Sequence, residues 1–135
     1  MANEAHKDAV RTYFKAMGAG EVDLFRSVIT DDYVAIVCGK SKISGTLTYD
    51  QVLAFVGGVP QMTKNGFNFE IASLTAEDDR VVSESTGKST LSNGAEYNNQ
   101  YTHLFRFRDG KIREVKEYMD TTLAEKVLLP VIVLE

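Results

Sequence analysis

The chain has 135 residues, 44% of them apolar and 25% charged, the balance of one folded domain with no room for a second. At that length about two-thirds of the unfolded surface can be buried, so a core and an internal pocket need neither a structural metal nor the internal disulfide that a single cysteine, Cys38, forbids. Fifteen Lys and Arg against nineteen Asp and Glu leave a net charge of −4, a field that repels phosphate backbones and excludes nucleic acid as an expected partner.

Residues 1–8 are polar, without the apolar segment behind a basic start that marks an export signal, so a cytoplasmic setting is the expectation. Ala5, Ala9, Val10, Tyr13, Phe14 and Met17 recur at helical spacing and predict a helix over residues 5–17, broken by Gly18 and Gly20. Residues 22–29 predict a second short helix with Val22, Phe25, Val28 and Ile29 on one face, before Asp31 and Asp32 turn the chain. A strand is expected over 33–37 and a short return strand over 40–46, beyond Gly39. Thr48 and Gln51 stand at capping-box spacing ahead of Val52, Leu53, Phe55 and Val56, which starts a third helix near Tyr49.

After Gly66 the period changes: Phe67, Phe69 and Ile71 alternate with polar neighbours, as a half-buried strand requires. Strands over 81–91, 97–108 and 111–119 are separated by Ser92-Asn93-Gly94 and Asp109-Gly110, turn sequences that tolerate positive φ. Consecutive long hairpins make an antiparallel meander whose one face the helices cover, an α+β fold. Residues 121–129 predict a last helix ended by Pro130. The apolar run 127–134 falls far short of the ~20 residues of a membrane span, so it is expected to pack on a neighbour and no membrane partner is expected. Leu134 and Glu135 match a purification-tag scar and carry no functional weight.

Chemistry concentrates in the strand over 97–108. Asn99, Tyr101, His103, Phe105 and Phe107 share one face by the period of two, and their aromatic weight points that face inward. Thr102, Leu104, Arg106 and Arg108 form the opposite, solvated or subunit-contacting row. Asn99 and His103 among buried aromatics need hydrogen-bond partners. In the neighbouring strand Glu84, Thr86 and Lys88 form a same-face polar row, expected at the pocket mouth or as a solvated strand face. Read alone, Tyr13 is a core aromatic and Asp120 a cap for the helix that follows it. Two histidines without ligand spacing predict no dedicated metal site, and no glycine motif suits a nucleotide; no cofactor is expected.

The leader over residues 10–23, from Val10-Arg11-Thr12-Tyr13-Phe14 to Glu21-Val22-Asp23, and the tail His103-Leu104-Phe105-Arg106-Phe107-Arg108-Asp109-Gly110-Lys111-Ile112, followed by Glu117-Tyr118-Met119-Asp120, resemble the nuclear transport factor two-like superfamily. Its members include SnoaL-like polyketide cyclases, ketosteroid isomerases, limonene epoxide hydrolases and scytalone dehydratases. The resemblance covers nearly the whole chain, as one domain over 1–135. It implies a curved antiparallel sheet wrapped around N-terminal helices into a cone with a deep pocket, commonly a homodimer through the sheet's outer face.

The resemblance also places Tyr13 where ketosteroid isomerases carry the tyrosine that hydrogen-bonds the developing oxyanion, and His103 where they carry a neutral acid. Their base aspartate falls at Val37. The tail resembles the segment holding a catalytic aspartate in SnoaL-like cyclases and epoxide hydrolases, which makes Asp120 the implied base. The other two members of the hydrolases' water-activating triad fall at Glu84 and Thr86, which disfavours that route.

The implied protein is a cofactor-independent acid–base enzyme, of isomerase or lyase type, acting on a small apolar cyclic or aromatic molecule. Tyr13, His103 and Asp120 would do the chemistry, with Glu84, Thr86, Lys88, Asn99, Tyr101 and Tyr118 contacting substrate. Strict alternation groups Asp120 with Ile112, Glu114, Lys116 and Tyr118, a mixed row whose facing a bulge would switch. The alternative is a non-catalytic ligand-binding or oligomerisation domain. There the backbone satisfies His103, Asp120 only caps, and Phe67, Phe69, Phe105 and Phe107 fill the pocket.

Overall fold

Val10, Tyr13, Phe14 and Met17 form the buried stripe of an 18-residue helix, α1 (Ala2–Ala19), in the computed structural model, which describes residues 2–132. Gly18 does not break this helix. It lies within the last turn, where a Cβ would overlap the Phe67 carbonyl oxygen, and its own carbonyl accepts a hydrogen bond from the Phe67 amide at 2.9 Å. Gly20, at φ +73°, ends it, because glycine enters the left-handed region without a Cβ penalty.

The second helix, α2 (Val22–Arg26), is shorter than expected, and β1 (Ile29–Val37) begins at once. Asp31 and Asp32 therefore do not turn the chain. They project, exposed, from an irregular part of the strand whose register shifts between Ile29 and Val34, and the Arg108 guanidinium holds Asp32 with two hydrogen bonds of 2.7 and 3.0 Å. The return strand β2 is only Gly45–Leu47. At α3 (Tyr49–Gly57) the capping box forms in full: the Thr48 hydroxyl accepts from the Gln51 amide and the Gln51 side-chain oxygen accepts from the Thr48 amide, worth about 1 kcal/mol to the helix start. A further turn, α4 (Val59–Met62), carries Pro60 where its missing N–H costs nothing; local patterning did not reveal it.

β3 (Asn68–Glu77), β4 (Arg80–Thr90), β5 (Glu96–Arg108) and β6 (Lys111–Met119) make the expected antiparallel meander. The sheet order is β2-β1-β6-β5-β4-β3, and β1 joins β6 in parallel. That junction pairs segments about eighty residues apart, which no local signal announces. Against the concave face, Tyr13 and Phe14 of α1 and Phe25 of α2 pack with Tyr33 and Phe105 of the sheet into one aromatic layer, joined by Val52 and Val56 of α3. A second cluster around Phe67, Leu91, Tyr97 and Leu128 lies nearer the chain's tail.

The predicted last helix is a single turn, α5 (Thr121–Leu123), running into a π-helical turn (Ala124–Leu128) and a 3₁₀ turn (Leu129–Val131). Pro130 sits inside that last turn rather than ending the helix before it. Of the apolar run, Val127, Leu128, Val131 and Ile132 pack on the second cluster of the same chain; Leu134 and Glu135 lie outside the described residues. No described helix is long and apolar enough to cross a membrane.

Candidate active site

The site is made by one extra residue. β5 and β6 pair Arg108 with Lys111 and Phe107 with Ile112, then jump to Arg106 against Glu114, so Arg113 is the unpaired residue of a β-bulge. Before the bulge Ile112 points inward; after it Val115, Glu117 and Met119 do, and Glu114, Lys116 and Tyr118 point out. Glu117 consequently stands directly opposite His103. Their side chains are 16% and 3% exposed, with His103 Nε2 3.8 Å from Glu117 Oε1.

Both groups border a cavity of about 240 Å³. Met17, Val52, Phe55, Phe67 and Phe69 form much of its apolar wall, and the segment from Lys42 to Leu47 with Leu128, Leu129 and Ile132 forms its rim. The rim is tied together by the Lys42 amide donating to the Glu125 carboxylate at 3.0 Å. Val37, at the position where the resemblance sought a base, is part of the apolar lining. His103 stacks on Phe105 at 5.6 Å and meets Phe14 edge-on at 5.1 Å. Its buried Nδ1 has no hydrogen-bond partner among the described residues, so the backbone does not satisfy this ring as the non-catalytic alternative requires.

The three residues expected to converge do not. His103 lines the cavity. Tyr13 lies in the aromatic layer, fully buried, its hydroxyl 2.6 Å from that of Tyr33; the turn of α1 that buries it aims the ring at Phe25 and Phe105, and it is not among the cavity's lining residues. Asp120 is exposed, and its carboxylate accepts from the Leu123 amide at 3.0 Å as the cap of α5. The reason is again the bulge, which keeps Asp120 in the outward row with Tyr118 (48% exposed).

The polar row of β4 is likewise turned outward. Glu84, Thr86 and Lys88 are exposed and pair with Thr102, Gln100 and Asn98 on the outer face, while Ser83, Ser85, Gly87 and Ser89 face in. Asn99 is buried as expected, but it bonds protein rather than cavity: its amide nitrogen donates to the Tyr97 hydroxyl and the Asp120 carbonyl, and its oxygen accepts from the Asp120 amide. Tyr101 does line the cavity. Glu117 and Tyr97 line the cavity as well, and neither is expected there from the sequence. An unbroken hairpin register from Arg108 and Lys111 would have set His103 against Lys116; no residue type in this segment marks the shift to Glu117.

Burial raises the pKa of the Tyr13, Tyr33, Tyr97 and Tyr101 phenols, since the phenolate would have to be desolvated. Their folded pKa values lie above the free value of about 10, so they contribute stability that is complete below about pH 10 and lost as the pH climbs past it. Alkaline titration should therefore show these four buried tyrosines ionising late, in a phenolate absorbance step coincident with loss of circular dichroism. Their ionisation before unfolding would contradict the burial described.

A SnoaL-like domain family matches residues 10–115. The chain belongs to the SnoaL-like family. Solved structures agree on the fold. The chain superposes on Bal32a, from a soil-derived mobile gene cassette, with a TM-score of 0.81 at 18% identity over 94% of this chain and 98% of that one. TerC, co-crystallised with polyporic acid, gives 0.76 at 20% identity over 92% and 98%. An LEH-like epoxide hydrolase of M. tuberculosis gives 0.74 at 18% identity over 95% and 92%. No curated protein matches the chain in sequence. The six-stranded curved sheet over N-terminal helices is thus the fold of this SnoaL-like protein, and solved structures of NTF2-like proteins share it. At such identities the likenesses carry fold and not reaction.

Proposed function

We propose that this SnoaL-like protein is an acid–base enzyme of isomerase or lyase type, acting on a small, largely apolar cyclic molecule held in the cavity. The reading is carried by one observation: a carboxylate and an imidazole face each other across β5 and β6 inside a largely apolar hollow. At 3.8 Å the pair is beyond hydrogen-bond reach, so each group is free to engage a substrate atom lying beside the pair in the cavity. Glu117 takes a proton from substrate carbon or oxygen, and His103 donates to the oxygen that gains charge. Returning that proton at another carbon isomerises a double bond. Delivering it to a departing hydroxyl releases water, and letting the carbanion attack a carbonyl closes a ring.

The test is a panel of ketosteroids, polyketides and aromatic diols, offered to the wild type and to Glu117→Gln. Polyporic acid belongs in it because TerC was co-crystallised with it, and epoxides because of the hydrolase neighbour. Turnover by the wild type alone supports the enzyme. Binding with no turnover of any member favours a ligand carrier, a reading to which the apolar walls and the purely capping role of Asp120 lend support. The same proposal includes a homodimer through the outer sheet face, where Val82 and Tyr118 are exposed. Light scattering should then give twice the chain mass of 15.0 kDa, and the single-chain mass would count against it.

A further inference from the structure

Hydrogen bonding around Tyr97 leaves one proton poorly placed. The Tyr97 oxygen accepts from the Asn99 amide nitrogen at 2.8 Å and from the Tyr101 hydroxyl at 3.2 Å, which uses both of its lone pairs. Asn99 cannot present its oxygen instead. Its nitrogen also donates to the Asp120 carbonyl at 3.1 Å and its oxygen accepts from the Asp120 amide at 3.2 Å, so the backbone on both sides sets which way the amide points. The Tyr97 proton is left with the Met119 thioether, 3.9 Å away, a weak acceptor. Tyr97, Tyr101 and Met119 all line the cavity.

We infer that Tyr97 is a hydrogen-bond donor to the ligand: its proton leaves the Met119 sulfur for a carbonyl oxygen on the bound molecule. The inference rests on reading the cavity as a ligand site and adds the ligand's chemistry. The sulfur that the Tyr97 hydroxyl faces belongs to Met119, two residues from Glu117 on the inward row of β6, roughly 7 Å at the usual rise. The carbonyl is therefore held about one ring's width from Glu117, and the ligand is a flat cyclic ketone or quinone that Tyr97 positions while Glu117 works on an atom further along the ring. Burial raises the Tyr97 pKa, which keeps the donor proton in place at neutral pH.

The experiment compares 2-acetylnaphthalene with 2-ethylnaphthalene, near-equal in shape and differing by the carbonyl oxygen, by fluorescence titration of wild type, Tyr97→Phe and Glu117→Gln. Tyr97→Phe should weaken the ketone by about fivefold, the worth of one neutral hydrogen bond, and leave the hydrocarbon unchanged. The carbonyl stretch of the ketone bound to wild type should fall below its frequency in alkane, a readout independent of how well the variant folds. An unchanged ketone affinity in Tyr97→Phe, an equal loss of both probes, an unshifted stretch, or no binding of either probe overturns the inference. Because these are binding readouts, Glu117→Gln should keep the ketone preference. Failure of the catalytic reading then leaves this result standing, and an active enzyme with no ketone preference removes the Tyr97 role alone.

Discussion

Glu117→Gln is expected to lower kcat by about 10²–10⁴-fold, the usual contribution of a positioned general base, while Asp120→Asn stays within about twofold of wild type. Glutamine preserves the volume and shape of the side chain opposite His103 but cannot take up a proton. Asparagine at 120 is as good a helix cap as aspartate, and the carboxylate it replaces is exposed, bonded to the Leu123 amide and absent from the cavity lining. The two substitutions therefore separate two carboxylates three residues apart by the face each occupies. Initial rates on any turned-over member of the panel decide between them. An inactive Asp120→Asn beside an active Glu117→Gln would move the chemistry to the outer face and end the reading given above.

Gly18→Ala should destabilise the protein by about 1 to 3 kcal/mol, the range for forcing a methyl into a closed space. The sign is the informative part, because the same change in an exposed helix interior gains up to ~1 kcal/mol. Here the new Cβ would overlap the carbonyl oxygen of Phe67. That atom is backbone, so no side-chain rotation relieves the contact; the start of β3 must move away from α1, straining the Phe67 amide to Gly18 carbonyl hydrogen bond. Phe67 and Phe69 both wall the cavity, so ligand affinity should fall along with stability. Urea unfolding measures the first effect as a lower midpoint at unchanged slope. A stabilised variant would show that the approach of α1 to the sheet is not tight.

Gly18 also shows where local reading stops. A glycine near the end of a periodic run is read as a breaker because glycine is a poor helix former. The residue stays helical, and its lack of a side chain serves a contact with residues nearly fifty positions later. Gly20, two residues on, meets the local expectation because its constraint is its own φ. The capping box at Thr48 and Gln51 was legible for the same reason: both hydrogen bonds close within four residues.

The candidate site divides along the same line. The inward row of β5 was readable from alternation alone, and Asn99, His103, Phe105 and Phe107 are buried as that row predicts. The row of β4 was read as polar on the face that holds Glu84, Thr86 and Lys88, yet the serines on its other face are the buried ones. Small hydroxyl residues fit under an aromatic layer where long charged ones do not, and that preference appears only once the layer exists. Tyr13 passed as a site residue by its place in the leader; packing against Phe25, Tyr33 and Phe105 makes it core.

What the amino-acid order determined by itself is the leading helix, the strands of the meander, the hairpin turns, the helix caps and the face of β5 that turns inward, because each depends on interactions a few residues long. What the tertiary structure decided is which acid meets the histidine. The bulge at Arg113 shifts the register by one residue, and in a sheet one residue is the whole difference between the two faces. Glu117 goes in and Asp120 stays out because Ile112 and Val115 must both be buried, and only an extra residue between them lets two apolar side chains three positions apart face the same core.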